Sequence, residues 1–224
     1  GMQALQWAAG CPKRVRAVIP IATALKNSPQ QIAFNKVVRQ SIMADPTWRE
    51  GNYYDYGQPE RGLAIARMLG HITFMSDQSM EEKFSRRLKN GNYSFKFGAD
   101  FEVESYLRYR GDNFVKRFDA NSYLYVTKAL DYFDVSNGRL VGSNGCERIR
   151  FLVISFKSDW LYPPYQSQEI VKELKRKACD VTYCEIASTY GHDAFLLEVK
   201  EQTNLIRPFL DKTFHGYEVA EYAV

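Results

Sequence analysis

Two apolar runs with a helix between them constrain this chain more than any other feature. "RIRFLVIS" (148–155) and "VTYCEI" (181–186) are short and rich in β-branched residues, and "PPYQSQEIVKELKRKA" (163–178) separates them with helical spacing and Pro164 near its start. Both read as strands. "RVRAVIPIATA" (14–24) is a further short apolar, β-branched run, typical of a strand covered on both faces. Strands alternating with helices predict a mostly parallel sheet with helices on both faces.

The flanking segments fit that frame. "GMQALQWAAG" reads as a buried amphipathic helix carrying Met2, Leu5 and Trp7, with no Ser, Thr, Asp or Asn ahead of it as a cap. "SPQQIAFNKVVRQSIMADP" begins a helix with Ser28 as N-cap, Pro29 at the first helical position and Gln31 completing a capping box, and stops before Pro46. "EVKEQTNLIRPFLDKTF" reads as a last helix kinked at Pro208.

The middle differs. "GLAIARMLG" is a short helix ended by its glycine, and His71 behind it reads as a packed or capping residue. "SMEEKFSRRL" carries a capping box from Ser79 to Glu82, and the segments 100–118 and 119–133 place apolar residues at helical spacing. Helices inserted between strands of a sheet predict a cap over its ligand edge. The expected organisation is therefore a core of residues 1–49 and 136–224 with a helical cap of 50–135.

Composition excludes several classes. The 224 residues, 45% of them hydrophobic, suffice for one globular domain with a small subdomain. The net charge of +4 is spread among 26 acidic residues with no basic tract longer than "KRK", so no nucleic-acid footprint is expected. No run approaches the roughly 18 apolar residues of a membrane span. Cys11, Cys146, Cys179 and Cys184 form no CxxC pair and have no His at ligand spacing, which argues against zinc and predicts reduced thiols in a cytoplasm.

The chemistry concentrates behind two strands. Asp159 in "SFKSDWLYPP" follows the first, and His192 in "TYGHDAFLLE" follows the second. Ligands and catalytic groups of open α/β sheets gather at the carboxyl ends of strands. The intervening 33 residues suffice to return the chain to the same edge. Taken singly, Asp159 reads as a turn residue and His192 as a surface residue. Jointly they form a candidate pair in which the carboxylate fixes the tautomer of the ring. Asp then His in this order calls for an upstream nucleophile on a G-x-S-x-G elbow, whose second glycine immediately precedes a helix. Gly1 stands in that relation to the first helix.

The stretches "GMQALQWA", "QIAFNKVVRQSIMADPTW", "GLAIARMLGHITF", "RFDANSYLYVTKALDYFD", "SDWLYPPYQS" and "YGHDAFLLE" closely resemble the homoserine O-acetyltransferases of the α/β-hydrolase superfamily. The resemblance runs from Gly1 to about Leu210. It implies a partial α/β-hydrolase fold with a helical cap, with the nucleophilic serine three residues ahead of Gly1. It matches Asp159 and His192 to the triad acid and base, and Arg67 and Asp193 to the homoserine-binding pair. Unaided, Arg67 reads as a helix-surface residue and Asp193 as a turn former. As a pair they suit a zwitterion, a guanidinium for its carboxylate and a carboxylate for its ammonium. Arg110 departs from the family, where Gln is commoner.

The implied reaction is ping-pong acetyl transfer from acetyl-CoA, as co-substrate, to L-homoserine in methionine biosynthesis, with no metal or bound cofactor and a homodimer formed through the cap. Residues 1–224 alone are expected to be inactive and poorly soluble. Succinyl-CoA as donor, serine as acceptor, a simple esterase, and a non-catalytic dimerising remnant remain alternatives.

Overall fold

The computed structural model describes residues 1–140 and 149–221, with side chains of the last helix described as far as His215. Two compact units emerge, one formed by Gly1–Lys26 and Phe133–Val224, the other by Asn27–Tyr132.

The first unit is built on a parallel sheet in the order β1 (Ala17–Val18), β2 (Arg150–Phe156), β3 (Asp180–Ile186). Register runs from Arg150 opposite Asp180 to Phe156 opposite Ile186, so both strands end at the same level. β2 is apolar apart from Arg150 and Ser155 because both of its faces are covered. Phe151 and Val153 join Leu5 and Ala8 of α1 (Met2–Gly10) and Ile170 and Leu174 of α7 (Pro164–Arg176). Leu152, Ile154 and Phe156 join Ala194 of α8 (Ala194–Leu197) and Phe209 of α9 (Val199–Glu221). Residues 151–156 are at most 2% exposed, and each large apolar side chain so buried contributes about 1.5–3 kcal/mol.

The first strand is shorter than its sequence suggests. Pro20 has no N–H to give to the ladder, so regular pairing is confined to Ala17–Val18. Contact with β2 resumes where Ile154 N donates to Pro20 O (3.0 Å) and Ala22 N donates to Ile154 O (2.9 Å). Within α1, Met2, Leu5 and Ala8 face the core, whereas Trp7 is 56% exposed, contrary to expectation. It lies off the three-residue stripe that meets the sheet. Gly1 packs so closely on Thr23 that a Cβ would fall 2.3 Å from its side chain. α9 runs through Pro208 to Glu221, leaving the Asn204 carbonyl without its helical donor.

The second unit contains α2 (Pro29–Met43), α3 (Glu60–Phe74), α4 (Asp77–Phe84), α5 (Glu102–Val115) and α6 (Ala120–Tyr132). The capping box of α2 forms as expected: Gln31 N donates to Ser28 Oγ and Ser28 N donates to Gln31 Oε1. α4 instead starts one turn ahead of the expected box. Ser76 Oγ, not Ser79, takes the cap, accepting from Ser79 N at 2.9 Å. α3 also continues past Gly70, because Leu63, Ala66, Gly70 and Thr73 form one buried stripe whose packing outweighs the roughly 1 kcal/mol glycine penalty. Val38, Ile42, Tyr53, Leu63, Ala66 and Phe114 anchor the core of this unit. Asp131 of α6 accepts from Arg39 (2.5 Å) and Asn35 (2.7 Å) of α2.

Cys11 and Cys184 are free, but Cys179 is disulfide-bonded. The expectation of reduced thiols therefore fails at Cys179; low cysteine density excludes a disulfide scaffold, not a single bridge. Cys146 lies outside the described residues. No described helix is long and apolar enough to cross a membrane.

Candidate active site

Parallel pairing of β2 and β3 sets the candidate pair. Asp159 lies three residues beyond Phe156, where its N–H donates to the Phe156 carbonyl (3.1 Å) and closes a turn. The turn aims the carboxylate inward, and Asp159 is only 2% exposed. Its Oδ1 accepts from Leu161 N (3.0 Å) and Tyr162 N (2.8 Å). Its Oδ2 lies 2.8 Å from His192 Nδ1. Three donors thus satisfy a buried anion, the condition under which such a charge is tolerated.

His192 sits in the tight helical turn Gly191–Asp193 that follows β3. Gly191 has φ +71, a conformation that costs glycine little, and its N–H donates to Ser158 Oγ (2.9 Å). Ser158 and Asp159, consecutive beyond β2, therefore hold both the backbone and the ring of the His192 turn. The imidazole lies near the rings of Tyr162 (centroids 5.1 Å apart) and Phe195 (5.2 Å). Its side chain keeps 15% of its surface accessible, while that of Asp159 keeps none. An ionised carboxylate only accepts, so Nδ1 carries the hydrogen and Nε2 is the basic nitrogen. This arrangement equips His192 to take a proton from a hydroxyl and return it, with Asp159 stabilising the imidazolium.

Asp193 is the next residue and occupies the N-cap position of α8 without a side-chain cap bond. Arg67 lies in the helical unit, on α3. Its guanidinium carbon stands 4.7 Å from the centre of the Phe114 ring and 5.6 Å from that of Phe74. His71, one turn further along α3, is buried and within 3.2 Å of the Tyr106 hydroxyl through Nδ1. Its pKa is lowered to about 4, first by burial and then by the charges of Arg67, Arg110, Lys83 and Arg117. The sequence pattern singled out Asp159 and His192, and the family resemblance alone added Arg67 and Asp193. Neither gave a signal for Ser158 or Tyr162, whose roles depend on a turn geometry without periodicity. Among the described residues no group of three or more His, Cys, Asp or Glu side chains is arranged to hold a metal ion.

The family profile for the alpha/beta hydrolase fold matches residues 1–199. A homoserine O-acetyltransferase of Methanohalobium evestigatum is 54% identical over 217 residues, 96% of this chain and 44% of that protein. One from Leptospira biflexa serovar Patoc is 51% identical over 217 residues, 96% of this chain and 57% of that protein. The chain thus spans about half the length of the curated relatives it matches. Among solved structures, a mutant of esterase E22 superposes with a TM-score of 0.81 at 25% identity, over 93% of this chain and 58% of the other.

Proposed function

Since this chain belongs to the α/β-hydrolase family, we propose that it supplies the acid, base and acceptor-binding residues of an acyltransferase that moves an acetyl group from acetyl-CoA to the hydroxyl of L-homoserine. One observation carries the reading: the buried Asp159–His192 bond stands beyond two parallel strand ends in a chain about half identical to homoserine O-acetyltransferases.

His192 Nε2 deprotonates the serine that the resemblance places ahead of Gly1, and the serine attacks the thioester carbonyl. Backbone amides hold the oxyanion, and CoA leaves as the thiol. His192 next removes the hydroxyl proton of homoserine, which attacks the acyl-enzyme, releases O-acetylhomoserine and regenerates the serine. Arg67 binds the carboxylate of homoserine and Asp193 its ammonium. The close packing of Gly1 on Thr23, which leaves no room for a side chain, supports this placement. Cytoplasmic location, a role in methionine biosynthesis and a homodimer formed through the helical unit follow the same resemblance.

The esterase likeness favours a second reading, hydrolysis with water as acceptor. Thiol release from acetyl-CoA decides between them, measured on a protein carrying these residues together with that serine. Release that requires homoserine supports transfer, and release independent of it supports hydrolysis. Asp159→Asn, which permits the wrong tautomer, should lower turnover by about 10³–10⁴-fold. Turnover unchanged by that substitution would remove the pair from the mechanism.

A further inference from the structure

The helical unit carries a concentration of positive charge that the acid–base pair does not use. Lys83 near the end of α4, Arg110 on α5 and Arg117 just beyond α5 are exposed, and none of the three forms an ion pair among the described residues. They are nevertheless ordered on two rings. Lys83 Nζ lies 4.3 Å and the Arg110 guanidinium carbon 5.1 Å from the centre of Tyr106. The Arg117 guanidinium carbon lies 5.6 Å from the centre of Phe114, the ring that also carries Arg67. Tyr106, Arg110 and Phe114 follow one another at intervals of four residues along α5, which is one face of a helix, and Arg117 stands in the turn after it.

The charges converge on a common point. Arg67, Arg110, Lys83 and Arg117 all act on buried His71, whose Nε2 has no hydrogen-bond partner among the described residues. Lys83, Arg110 and Arg117, gathered on two rings without an ion-pair partner among the described residues, repel one another, and a bound anion relieves that repulsion. Planar guanidinium groups and a lysine ammonium, carried by α4, α5 and the turn after α5, suit several phosphate groups better than a single carboxylate.

We propose that Lys83, Arg110 and Arg117, framed by Tyr106 and Phe114, form the face that binds the phosphates of the acyl donor, the diphosphate and 3′-phosphate of a coenzyme A thioester. Arg67, at the border of this face, stays with the acceptor carboxylate. The assignment rests on the acetyl-CoA reading and adds the donor-binding residues to it.

Calorimetric titration of the protein that carries these residues together with the upstream serine, using adenosine 3′,5′-bisphosphate, the phosphate-bearing end of the donor without its thioester, tests the proposal. Binding is expected to weaken at least about tenfold in Arg110→Gln/Arg117→Gln and several-fold in Lys83→Gln, and to fall with added salt. Dephospho-coenzyme A should bind several-fold more weakly than coenzyme A. Equal affinity in folded variants, no binding by the folded parent protein, or equal displacement by inorganic phosphate and the bisphosphate would each overturn it. L-homoserine titrated into the same samples separates the two ideas. Homoserine binding without bisphosphate binding removes the donor face and keeps the acceptor site, whereas the reverse keeps the face and removes the acceptor reading.

Discussion

His71 makes the helical unit acid-labile in a defined window. Its imidazole is 6% exposed and lies among four cations, so protonation adds a fifth positive charge to a desolvated site. Burial is the larger cause and the cations the second, and together they lower its pKa from 6.5 to about 4. The unfolded chain takes up this proton below pH 6.5 while the folded chain resists until about 4, so the contribution to stability is present in full above 6.5 and is lost as pH falls toward 4. A shift of that size corresponds to about 3 kcal/mol. His71→Gln keeps a polar group near Tyr106 and cannot titrate, so its stability should be flatter across the same window. Urea unfolding followed by the fluorescence of Trp48, with Trp7 and Trp160 replaced by Phe, reports on this unit alone. The carboxyls of Asp45 and Asp119 are also held below their usual value, Asp45 by bonds from Gly62 and Thr47 and Asp119 by bonds from Tyr53 and Ser122, each against an opposing burial effect. Their contribution is lost only below about 3.8 and does not overlap the window. Identical pH slopes in parent and variant would refute the reasoning.

Two further substitutions test the packing of the helical unit. A Cβ on Gly62 would fall 2.5 Å from the Ser41 carbonyl oxygen and 2.7 Å from Ile42 Cα, so Gly62→Ala should cost about 1–3 kcal/mol of overpacking against a helix-propensity gain of about 1 kcal/mol. A lower melting temperature is the expected result, and a higher one would show that α2 and α3 separate freely. Asp131→Ala leaves Arg39, whose side chain is 10% exposed, buried without its partner, at about 3–5 kcal/mol. Arg39→Met/Asp131→Leu should recover most of that loss in urea midpoint, since an apolar pair of similar volume carries no desolvation penalty.

The legible part of the candidate site is the part that follows an apolar run directly. Asp159 and His192 stand three and six residues beyond strands that announce themselves by their β-branched apolar runs, β2 buried on both faces and β3 only partly buried, and a parallel register does the rest. What was illegible depends on contacts between segments distant in sequence. Trp7 reads as core until its angular offset from Met2, Leu5 and Ala8 is fixed by the sheet. Gly70 reads as a helix end because the packing that buries Leu63, Ala66, Gly70 and Thr73 as one stripe and carries α3 past it is invisible to propensity. Ser76 and Ser79 are equivalent as caps until the entry of α4 is set.

The charge distribution shows the same limit most sharply. Residues 67, 83, 110 and 117 form no basic tract, and their scatter along the chain reads as an evenly solvated surface. Folding stacks α3 against α5 with the end of α4 beside them, and four isolated charges then act on one buried imidazole. A linear scan for basic tracts excludes ligands that require a continuous stripe, such as a duplex nucleic acid. It does not exclude a compact polyanion, which needs only a few cations within reach of one another and no particular order in sequence.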